Sequence, residues 1–215
     1  MNNQTNPQKA KKLTDRDKQA IATKNRIYQC GVRLMNQHGF SNITVEQIAK
    51  KAKVSVGTFY HYFQSKFDLL SEVYRLGDEY FAGRVPALLR EFTSCAERVG
   101  AYFDLYAQLS LEDGIEMVRS LYVPTNRMFL THGRAMQDLL TDILHQGQQC
   151  GEISADLSAQ TITEELFLVA RGVIFDWCLH DGKSDIAADM RRVMHRYAQT
   201  YFLLSPKKQE TSPAS

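Results

Sequence analysis

The chain has 215 residues and a mass of 24.6 kDa; 44% of its residues are hydrophobic, 23% are charged, and the formal net charge is +2. This composition is ordinary for a globular protein and excludes collagen-like, proline-rich and disulfide-stapled chains, because the four cysteines lie far apart without a C-x-x-C pair. No apolar run approaches the roughly 20 residues of a membrane span, and the polar N-terminus is unlike a signal peptide, so we expect a cytoplasmic protein without membrane contact.

The charge is distributed unevenly along the chain. Residues 1–66 hold 12 Lys and Arg against three Asp and Glu, a net charge of +9, whereas residues 67–215 carry a net charge of −7. A basic segment of this kind suits a polyanionic partner, but it also describes a solvated basic tail. A second signal in the same segment is therefore needed before nucleic acid becomes the favoured partner.

The first predicted elements are a basic arm and a helix. Residues 1–15 are polar and lack periodicity, so we expect them to be disordered. From Arg16 onward, apolar residues recur at helical spacing. Gly39 is expected to end this helix in a left-handed conformation, which glycine adopts without a Cβ penalty.

Two short helices are predicted next. Gln47 follows Thr44 by three residues, which predicts a capping box at the start of a helix that closes near Ala52. The connection formed by residues 53–55 leads to another short helix over residues 56–63. Two short helices joined by such a turn are typical of a helix-turn-helix.

The rest of the chain is also predicted to be helical. A longer helix begins near Ser65, its candidate cap, with Phe67 on its apolar face and Pro86 near its end. Further helical patterns cover roughly residues 94–110, 112–122, 125–148, 159–180 and 184–204, and a disordered tail is expected over residues 206–215. Because no stretch alternates with a period of two, the predicted fold class is all-α. It comprises an N-terminal three-helix helix-turn-helix domain over residues 16–66 and a larger C-terminal helical domain over residues 67–205.

The second short helix has the side chains of a DNA-reading element. Phe59 and Phe63 are four residues apart and are expected to face inward together. The remaining faces then present Gly57, which permits close approach of a partner, and polar groups that can bond phosphates or base edges: Thr58, Tyr60, His61 and Tyr62. Thr44 and Lys66, each at the start of a helix, are candidates for phosphate contacts.

Residues 39–66, GFSNITVEQIAKKAKVSVGTFYHYFQSK, resemble the DNA-binding domain of the TetR family of bacterial repressors. The likeness is contiguous over about 40 residues, including the preceding helix, and the rest of the chain agrees in length and helical character. Two positions depart from the family pattern: Lys53 stands in the turn where the family usually has Gly, and Phe67 stands where it usually has Glu. If position 53 is left-handed, Lys costs on the order of 1 kcal/mol there.

The resemblance implies a set of contacts with DNA. Thr44 and Lys66 would hold phosphates, Thr58 would contact the DNA backbone, and Val56 stands where members of the family reach DNA. An apolar side chain at that position makes hydrogen-bonded readout of bases unexpected there, so specificity leans on Tyr60, thymine methyl contacts and DNA shape. The full set of DNA-binding candidates is Thr44, Lys53, Ser55, Val56, Gly57, Thr58, Tyr60, His61, Tyr62 and Lys66.

In the resembled family, the residues after about position 70 form a helical domain that binds a small effector and dimerises through its last two long helices. Two apolar stripes here could pair in this way across a two-fold axis or could pack within the monomer: Ile162, Leu166, Val169, Val173 and Trp177, and Ile186, Met190, Val193, Met194, Tyr197 and Tyr201. The aromatic content favours a hydrophobic or aromatic effector. Candidate ligand-binding residues are Tyr102, Phe103, Tyr106, Tyr122, Phe129, Arg134, Phe167, Arg171, Phe175 and Cys178.

These observations predict a ligand-responsive transcriptional regulator that binds double-stranded DNA. The simplest form is a repressor that binds a palindromic operator as a homodimer and is released by a small molecule. Catalytic motifs and metal-ligand spacings are absent from the sequence, so we expect neither an enzyme nor a cofactor or metal site. Two alternatives stay open: a helix-turn-helix protein that acts through protein contacts without operator binding, and a nucleoid protein indifferent to DNA sequence.

Overall fold

The computed structural model describes residues 14–203, which form ten α-helices and two short 3-10 helices. These residues contain no strand; Ile153 and Phe202 form an isolated antiparallel bridge. The predicted all-α fold is therefore confirmed. The chain divides into two compact units, of which the first ends at Leu69 and the second begins at Leu70. The predicted tail and the first 13 residues of the predicted basic arm lie outside the described residues.

The first unit is built from three helices and the start of a fourth. Thr14 and Asp15 belong to the first helix rather than to the arm, because the Thr14 hydroxyl accepts from the Asp17 backbone N–H, 3.2 Å away, and caps the helix. Gly39 follows the helix with φ +79° and ψ +149°, so its φ is positive as predicted but its backbone is extended rather than left-handed helical. The helices are α1 (Asp15–His38), α2 (Val45–Lys51), α3 (Val56–Tyr62) and α4 (Asp68–Gly83), with a 3-10 turn at Phe40–Asn42.

Aromatic and aliphatic side chains form a small core in this unit. Phe59 and Phe63 of the predicted inward face are buried, and their ring centroids lie 5.6 Å apart, which confirms that prediction. Leu69 is buried against Gly31, where an added Cβ would lie only 2.6 Å from Leu69 Cδ1. A larger side chain at Gly31 would therefore push Leu69 out of its position.

The start of α4 differs from the prediction. Ser65 does not cap the helix; instead, the Asp68 carboxylate accepts from the backbone N–H of Gln64 (2.7 Å) and from the Ser65 hydroxyl (3.1 Å). Phe67 precedes the helix and is 61% exposed, its ring packed edge-on against Phe40 at 4.9 Å. Because the helix begins later than predicted, Leu69 takes the buried position that the sequence assigned to Phe67.

The second unit is a helical bundle whose core is formed mainly by the helices Cys95–Asp113, Ala135–Gln149, Ala159–Leu179 and Ile186–Ala198. Its elements after α4 are α5 (Val85–Leu89), α6 (Cys95–Asp113), α7 (Ile115–Leu121), a 3-10 turn (Met128–Leu130), α8 (Ala135–Gln149), α9 (Ala159–Leu179) and α10 (Ile186–Ala198). Pro86 lies in the first turn of α5, where its missing N–H costs no helical hydrogen bond. No helix within residues 14–203 is both long and apolar enough to cross a membrane.

Two predicted helices are shorter in the structure. The helix expected over residues 125–148 begins at Ala135, because Pro124 and Gly133, with φ +70°, keep the preceding segment irregular. The helix expected over residues 184–204 ends at Ala198. After it the chain turns and pairs with the segment before α9, where the N–H of Ser154 donates to the carbonyl of Tyr201 at 2.9 Å.

The two apolar stripes of α9 and α10 face the core of their own unit. Their innermost residues are fully buried: Ile162, Leu166, Trp177, Ile186, Met190 and Met194. Of the two arrangements considered for these stripes, the structure shows packing within the monomer. The apolar residues that α9 exposes lie on another face of the helix: Leu168, Phe175 and Leu179.

Candidate nucleic-acid interface and internal cavity

Helix α3 is held by its cap and by its buried phenylalanines. The Ser55 hydroxyl accepts from the backbone N–H of Thr58 at 3.0 Å, and the two side-chain oxygens lie 2.8 Å apart. This contact fixes the orientation of the Ser55 side chain, and Thr58 is half-buried. The predicted residues that the helix exposes are Val56, Gly57, Tyr60 and His61.

The aromatic residues of α3 support one another. The Tyr60 ring is 51% exposed and meets the buried Phe59 ring edge-on at 5.6 Å. Tyr62 is half-buried, and its ring lies 4.9 Å from His61. The buried Phe59 ring therefore holds the Tyr60 ring in place, while part of Tyr60 remains in solvent. A residue that contacts a partner needs both properties.

The turn between α2 and α3 contains the left-handed residue that its sequence suggested. Lys53 has φ +54°, and its backbone N–H donates to the carbonyl of Lys50 at 3.2 Å. The side chain of Lys53 is exposed, as are those of Lys50 and Lys51. The segment that leads into α3 thus contains three exposed lysines, one of them at the left-handed position.

Thr44 and Lys66 occupy different environments. The Thr44 hydroxyl accepts from the Gln47 N–H at 3.3 Å, and the Gln47 side chain accepts from the Thr44 N–H at 2.9 Å, which confirms the capping box. Lys66 Nζ donates to the carbonyls of Phe40 (2.8 Å) and Ile43 (3.0 Å) and lies 4.7 Å from the centroid of the Phe40 ring. Two of the three ammonium donors of Lys66 therefore serve the first unit itself.

The second unit contains a small internal cavity of about 50 Å³. Its wall includes four of the ten ligand-binding candidates: Tyr106, Tyr122, Phe129 and Arg134. The other lining residues come from α4, α6, α7 and the start of α8: Val73, Tyr74, Gly77, Leu109, Ser110, Asp113, Val118, Leu121 and Met136. The wall is therefore largely apolar and aromatic, with a few polar groups.

The other six candidates do not line this cavity. Tyr102, Phe103 and Phe167 pack together in the core, and Cys178 is buried outside the wall. Phe175 is 48% exposed on α9, because it belongs to the outer face of that helix. Arg171 lies behind the wall, where its Nη1 donates to the carbonyl of Phe129 at 3.0 Å.

A pattern in α6 could have identified part of the wall from the sequence. Tyr106, Ser110 and Asp113 follow one another at spacings of four and three, so they share a helix face. Polar residues on an otherwise apolar helix face indicate a cavity in the core next to that face. The contribution of α4, through Tyr74 and Gly77, has no comparable signal in the sequence.

Burial shifts the pKa of several groups around the cavity. It raises the pKa of Asp113 to about 7, with a smaller contribution from the like charge of Glu112. Burial also raises the pKa of Tyr74 to about 12 and raises the pKa of the Tyr106 and Tyr122 hydroxyls. The phenols are thus neutral at physiological pH, and a neutral Asp113 is accessible near pH 7.

Arg134 brings a positive charge to the cavity wall that is already compensated. Its side chain is 10% exposed, and its Nε lies 3.0 Å from Asp78 Oδ2. The guanidinium also donates to the carbonyl of Tyr74 at 3.3 Å and lies 4.6 Å from the centroid of the Tyr74 ring. The arrangement fixes Arg134 and Tyr74 together.

Known proteins resemble this chain in both sequence and fold. Residues 27–73 match the family model described as bacterial regulatory proteins, tetR family. The fatty acid metabolism regulator protein of Bacillus subtilis strain 168 is 24% identical over 168 residues, which are 75% of this chain and 87% of that protein.

Solved structures share the fold. The transcriptional regulator FadR from Bacillus subtilis, in complex with stearoyl-CoA, superposes with a TM-score of 0.67 at 23% identity, over 79% of this chain and 95% of that one. RolR in complex with resorcinol superposes with a TM-score of 0.61 at 19% identity, over 84% of this chain and 89% of that one. The match over residues 27–73 leads to one assignment: the chain carries the DNA-binding domain of the TetR family of bacterial regulatory proteins.

Proposed function

We propose that the chain is a repressor that binds a palindromic operator as a dimer and is released when a small hydrophobic or aromatic molecule enters the cavity of the second unit. The observation that carries this proposal is the outward face of α3. That face is solvent-exposed, and three exposed lysines shortly precede it in the chain: Lys50, Lys51 and Lys53. A single helix fits the major groove, where Tyr60 would contact base edges.

Gly57 supports a close approach of DNA to α3. A glycine inside a helix costs about 1 kcal/mol relative to alanine. A Cβ at position 57 would meet only the Ser55 hydroxyl oxygen, at 3.7 Å, so the described fold has room for alanine there. The missing side chain is explained if the DNA backbone lies against this position.

An exposed apolar face on α9 supports the dimer. Leu168 and Leu179 are each 65% exposed, and Phe175 is 48% exposed. With Gly172 between them, these residues follow at spacings of four, three and four and therefore form one stripe on the helix. Two copies of the stripe related by a two-fold axis would bury each other and would present two copies of α3 to a palindromic site.

Helix α4 supports a link between effector and DNA. It begins at Asp68, five residues after Phe63, and further along it carries Tyr74 and Gly77 of the cavity wall. An effector that binds more tightly to one position of α4 shifts the population towards that position. Release follows if the two copies of α3 in that state no longer match the spacing of the half-sites.

Selection of bound sequences from random DNA tests the proposal. We expect enrichment of a palindrome that the wild-type chain prefers by a factor of roughly 10³ or more over unrelated duplexes. Tyr60→Ala should weaken operator binding by about 1–3 kcal/mol, whereas Tyr60→Phe, the matched control, keeps the ring and shows how much depends on the hydroxyl.

Two outcomes of the selection would contradict the proposal. Failure to enrich any duplex at low salt would favour a protein that acts through protein contacts. Equal affinity for all duplexes would indicate a nucleoid protein. Operator affinity unchanged by Tyr60→Ala would remove α3 from the recognition role.

A further inference from the structure

The volume of the cavity limits what the proposed effector can be. The cavity measures about 50 Å³, whereas a cavity of about 150 Å³ accepts benzene and pockets for drug-sized ligands have roughly 300–1,000 Å³. A single ring therefore requires a modest outward shift of one wall. A long acyl chain would require a tunnel through the unit.

The inner side of the cavity offers no such tunnel. Behind Tyr106, the ring of Phe167 lies at 5.6 Å and that of Phe103 at 6.4 Å. Phe103 and Tyr102 are fully buried, and the Tyr102 hydroxyl donates to the carbonyl of Met136 at 2.7 Å. Inward growth of the cavity would displace several close-packed rings, each at a cost in packing and transfer free energy.

The wall formed by the segment around Phe129 can move at a lower cost. Phe129 lies in the short 3-10 turn Met128–Leu130, and the next residue, Leu130, is 63% exposed. Arg171 holds the turn through the Phe129 carbonyl and lies 5.6 Å from the centroid of the Phe129 ring. Since Leu130 faces solvent, an outward shift of this turn does not require the core to repack.

The groups on this wall suit a ring that carries a hydroxyl. Phe129 meets the rings of Tyr74 and Tyr122 at 5.7 Å and 4.8 Å, so a further ring inserted here would gain edge-to-face contacts. The Tyr122 hydroxyl is buried beside the hydroxyl of Tyr106, with which it interacts. Because a phenol can both donate and accept, this pair leaves hydrogen-bonding capacity that a ligand hydroxyl can use.

The charges around the cavity disfavour an anion. Arg134 is the cation among the described lining residues, and Asp78 already pairs with it at 3.0 Å. Asp113 adds a carboxyl group to the same wall. Arg171 approaches from behind the Phe129 ring, 5.6 Å from its centroid, and is not part of the wall. A carboxylate seated inside the wall would therefore lose its hydration without contacting an uncompensated positive charge.

We propose, on the basis of the regulator function proposed above, that the effector is a compact, uncharged molecule with one aromatic ring and a hydroxyl group. It is seated among Tyr74, Tyr122 and Phe129, and the hydroxyl bonds to Tyr122. This class excludes long-chain acyl thioesters and aromatic carboxylates as ligands of this cavity.

Isothermal titration calorimetry of the full chain with phenol, resorcinol, benzoate and lauroyl-CoA tests the proposal. We expect saturable binding of a phenol, binding of benzoate at least ten-fold weaker, and no saturable binding of lauroyl-CoA. Tyr122→Phe should weaken binding of the phenol about ten-fold through loss of one hydrogen bond. Gly77→Ala should also weaken it, because the added methyl group lies at the cavity wall, 3.5 Å from Leu109 Cδ2, a distance that the fold accepts.

Gly100→Ala is the matched control, since a Cβ at position 100 meets no atom within 4 Å and Gly100 is not part of this wall. Saturable binding of lauroyl-CoA, equal affinity for benzoate and the phenols, or no binding of either phenol would each overturn the ligand class. So would phenol binding that Gly77→Ala leaves unchanged. Sequence-specific DNA binding by the same preparation separates these outcomes from failure of the regulator function, which would show as loss of operator enrichment.

Discussion

Lys66 has a structural role that its place beside the predicted interface does not reveal. Its ammonium group bridges the carbonyls of Phe40 and Ile43, which join the 3-10 turn to the start of α2. Each hydrogen bond from a charged donor makes a net contribution of about 1.5–3 kcal/mol to the stability of the fold. The side chain therefore stabilises the segment that positions Thr44, whether or not its third donor reaches a phosphate.

We predict that Lys66→Ala destabilises the first unit by about 1–3 kcal/mol, because two carbonyls lose their charged donor. Urea unfolding followed by circular dichroism measures this change. Lys50→Ala, which removes an exposed lysine of α2, is the control and should leave the unfolding midpoint nearly unchanged. If Lys66→Ala lowers DNA affinity at unchanged stability, the residue acts on phosphate alone.

Asp113 makes the stability of the second unit depend on pH. Burial raises the pKa of this carboxyl from 3.8 to about 7, so between these values the folded state keeps a proton that the unfolded state has lost. The contribution of Asp113 is therefore most favourable at low pH and is lost as the pH rises through 7. This direction is opposite to that of a carboxylate held in an ion pair.

We predict that Asp113→Asn removes this dependence. Relative to the variant, the wild-type chain should lose on the order of 2 kcal/mol of unfolding free energy between pH 5 and pH 8. Urea titrations of both chains at the two pH values give the difference, in which the contributions of other carboxyl groups cancel. A constant difference between the two chains would show that Asp113 ionises freely in the folded state.

At the scale of elements, local signals in the sequence predicted the end of α1 and the start of α2. The capping box at Thr44 and the glycine after α1 depend on residues a few positions apart, which a sequence displays directly. The start of α4 and the length of α8 were wrong, because Asp68 and Gly133 decide them through a side-chain contact and a backbone angle. Neither is visible in hydrophobic periodicity.

Close packing between helices is likewise not visible in hydrophobic periodicity. Gly147 lies on α8 where an added Cβ would be 2.7 Å from Cys95 Sγ and 3.0 Å from Ile153 Cδ1. Both neighbours are buried, and the cysteine side chain is too short to turn aside. The contact brings together α8, the start of α6 and the segment before α9.

We predict that Gly147→Ala destabilises the second unit despite the better helix propensity of alanine. Propensity favours the change by about 1 kcal/mol, whereas overpacking costs about 1–3 kcal/mol, so the net effect is a loss of about 1 kcal/mol. Gly100→Ala adds the same methyl group to α6 where no atom lies within 4 Å, and it should stabilise the chain. Thermal unfolding of the two variants compares them, and equal midpoints would contradict the packing argument.

At the scale of the whole molecule, the net charge of +2 is the sum of a basic N-terminal segment and an acidic remainder of the chain. The chain changes from a basic segment to an acidic one near the boundary between its two compact units. Charge and motif could be read from the sequence because they lie within one short segment. The cavity could be predicted only in part, since its wall joins α4, α6, α7 and the segment around Phe129, whose proximity depends on the complete fold.

The proposed dimer also shows the limit of periodicity. A helix with apolar residues on two faces presents two stripes, and periodicity does not say which one faces the core. The stripe identified from the sequence, which includes Leu166, is buried within the monomer, whereas Leu168 and Phe175 are exposed. The exposed stripe is therefore the surface on which a test of the dimer should act.

We predict that Leu168→Glu converts the proposed dimer into a monomer, because a carboxylate buried in an apolar interface would lose its hydration without a partner. Leu168 is 65% exposed in the monomer, so the substitution should leave the fold intact, which circular dichroism checks. Leu88→Glu, at a leucine of α5 that is 45% exposed, is the control and should keep the wild-type mass. Sedimentation velocity measures the mass, and operator affinity should fall with dimerisation, because one copy of α3 reads only half of a palindrome. A Leu168→Glu chain that sediments like the wild type would place the dimer contact elsewhere.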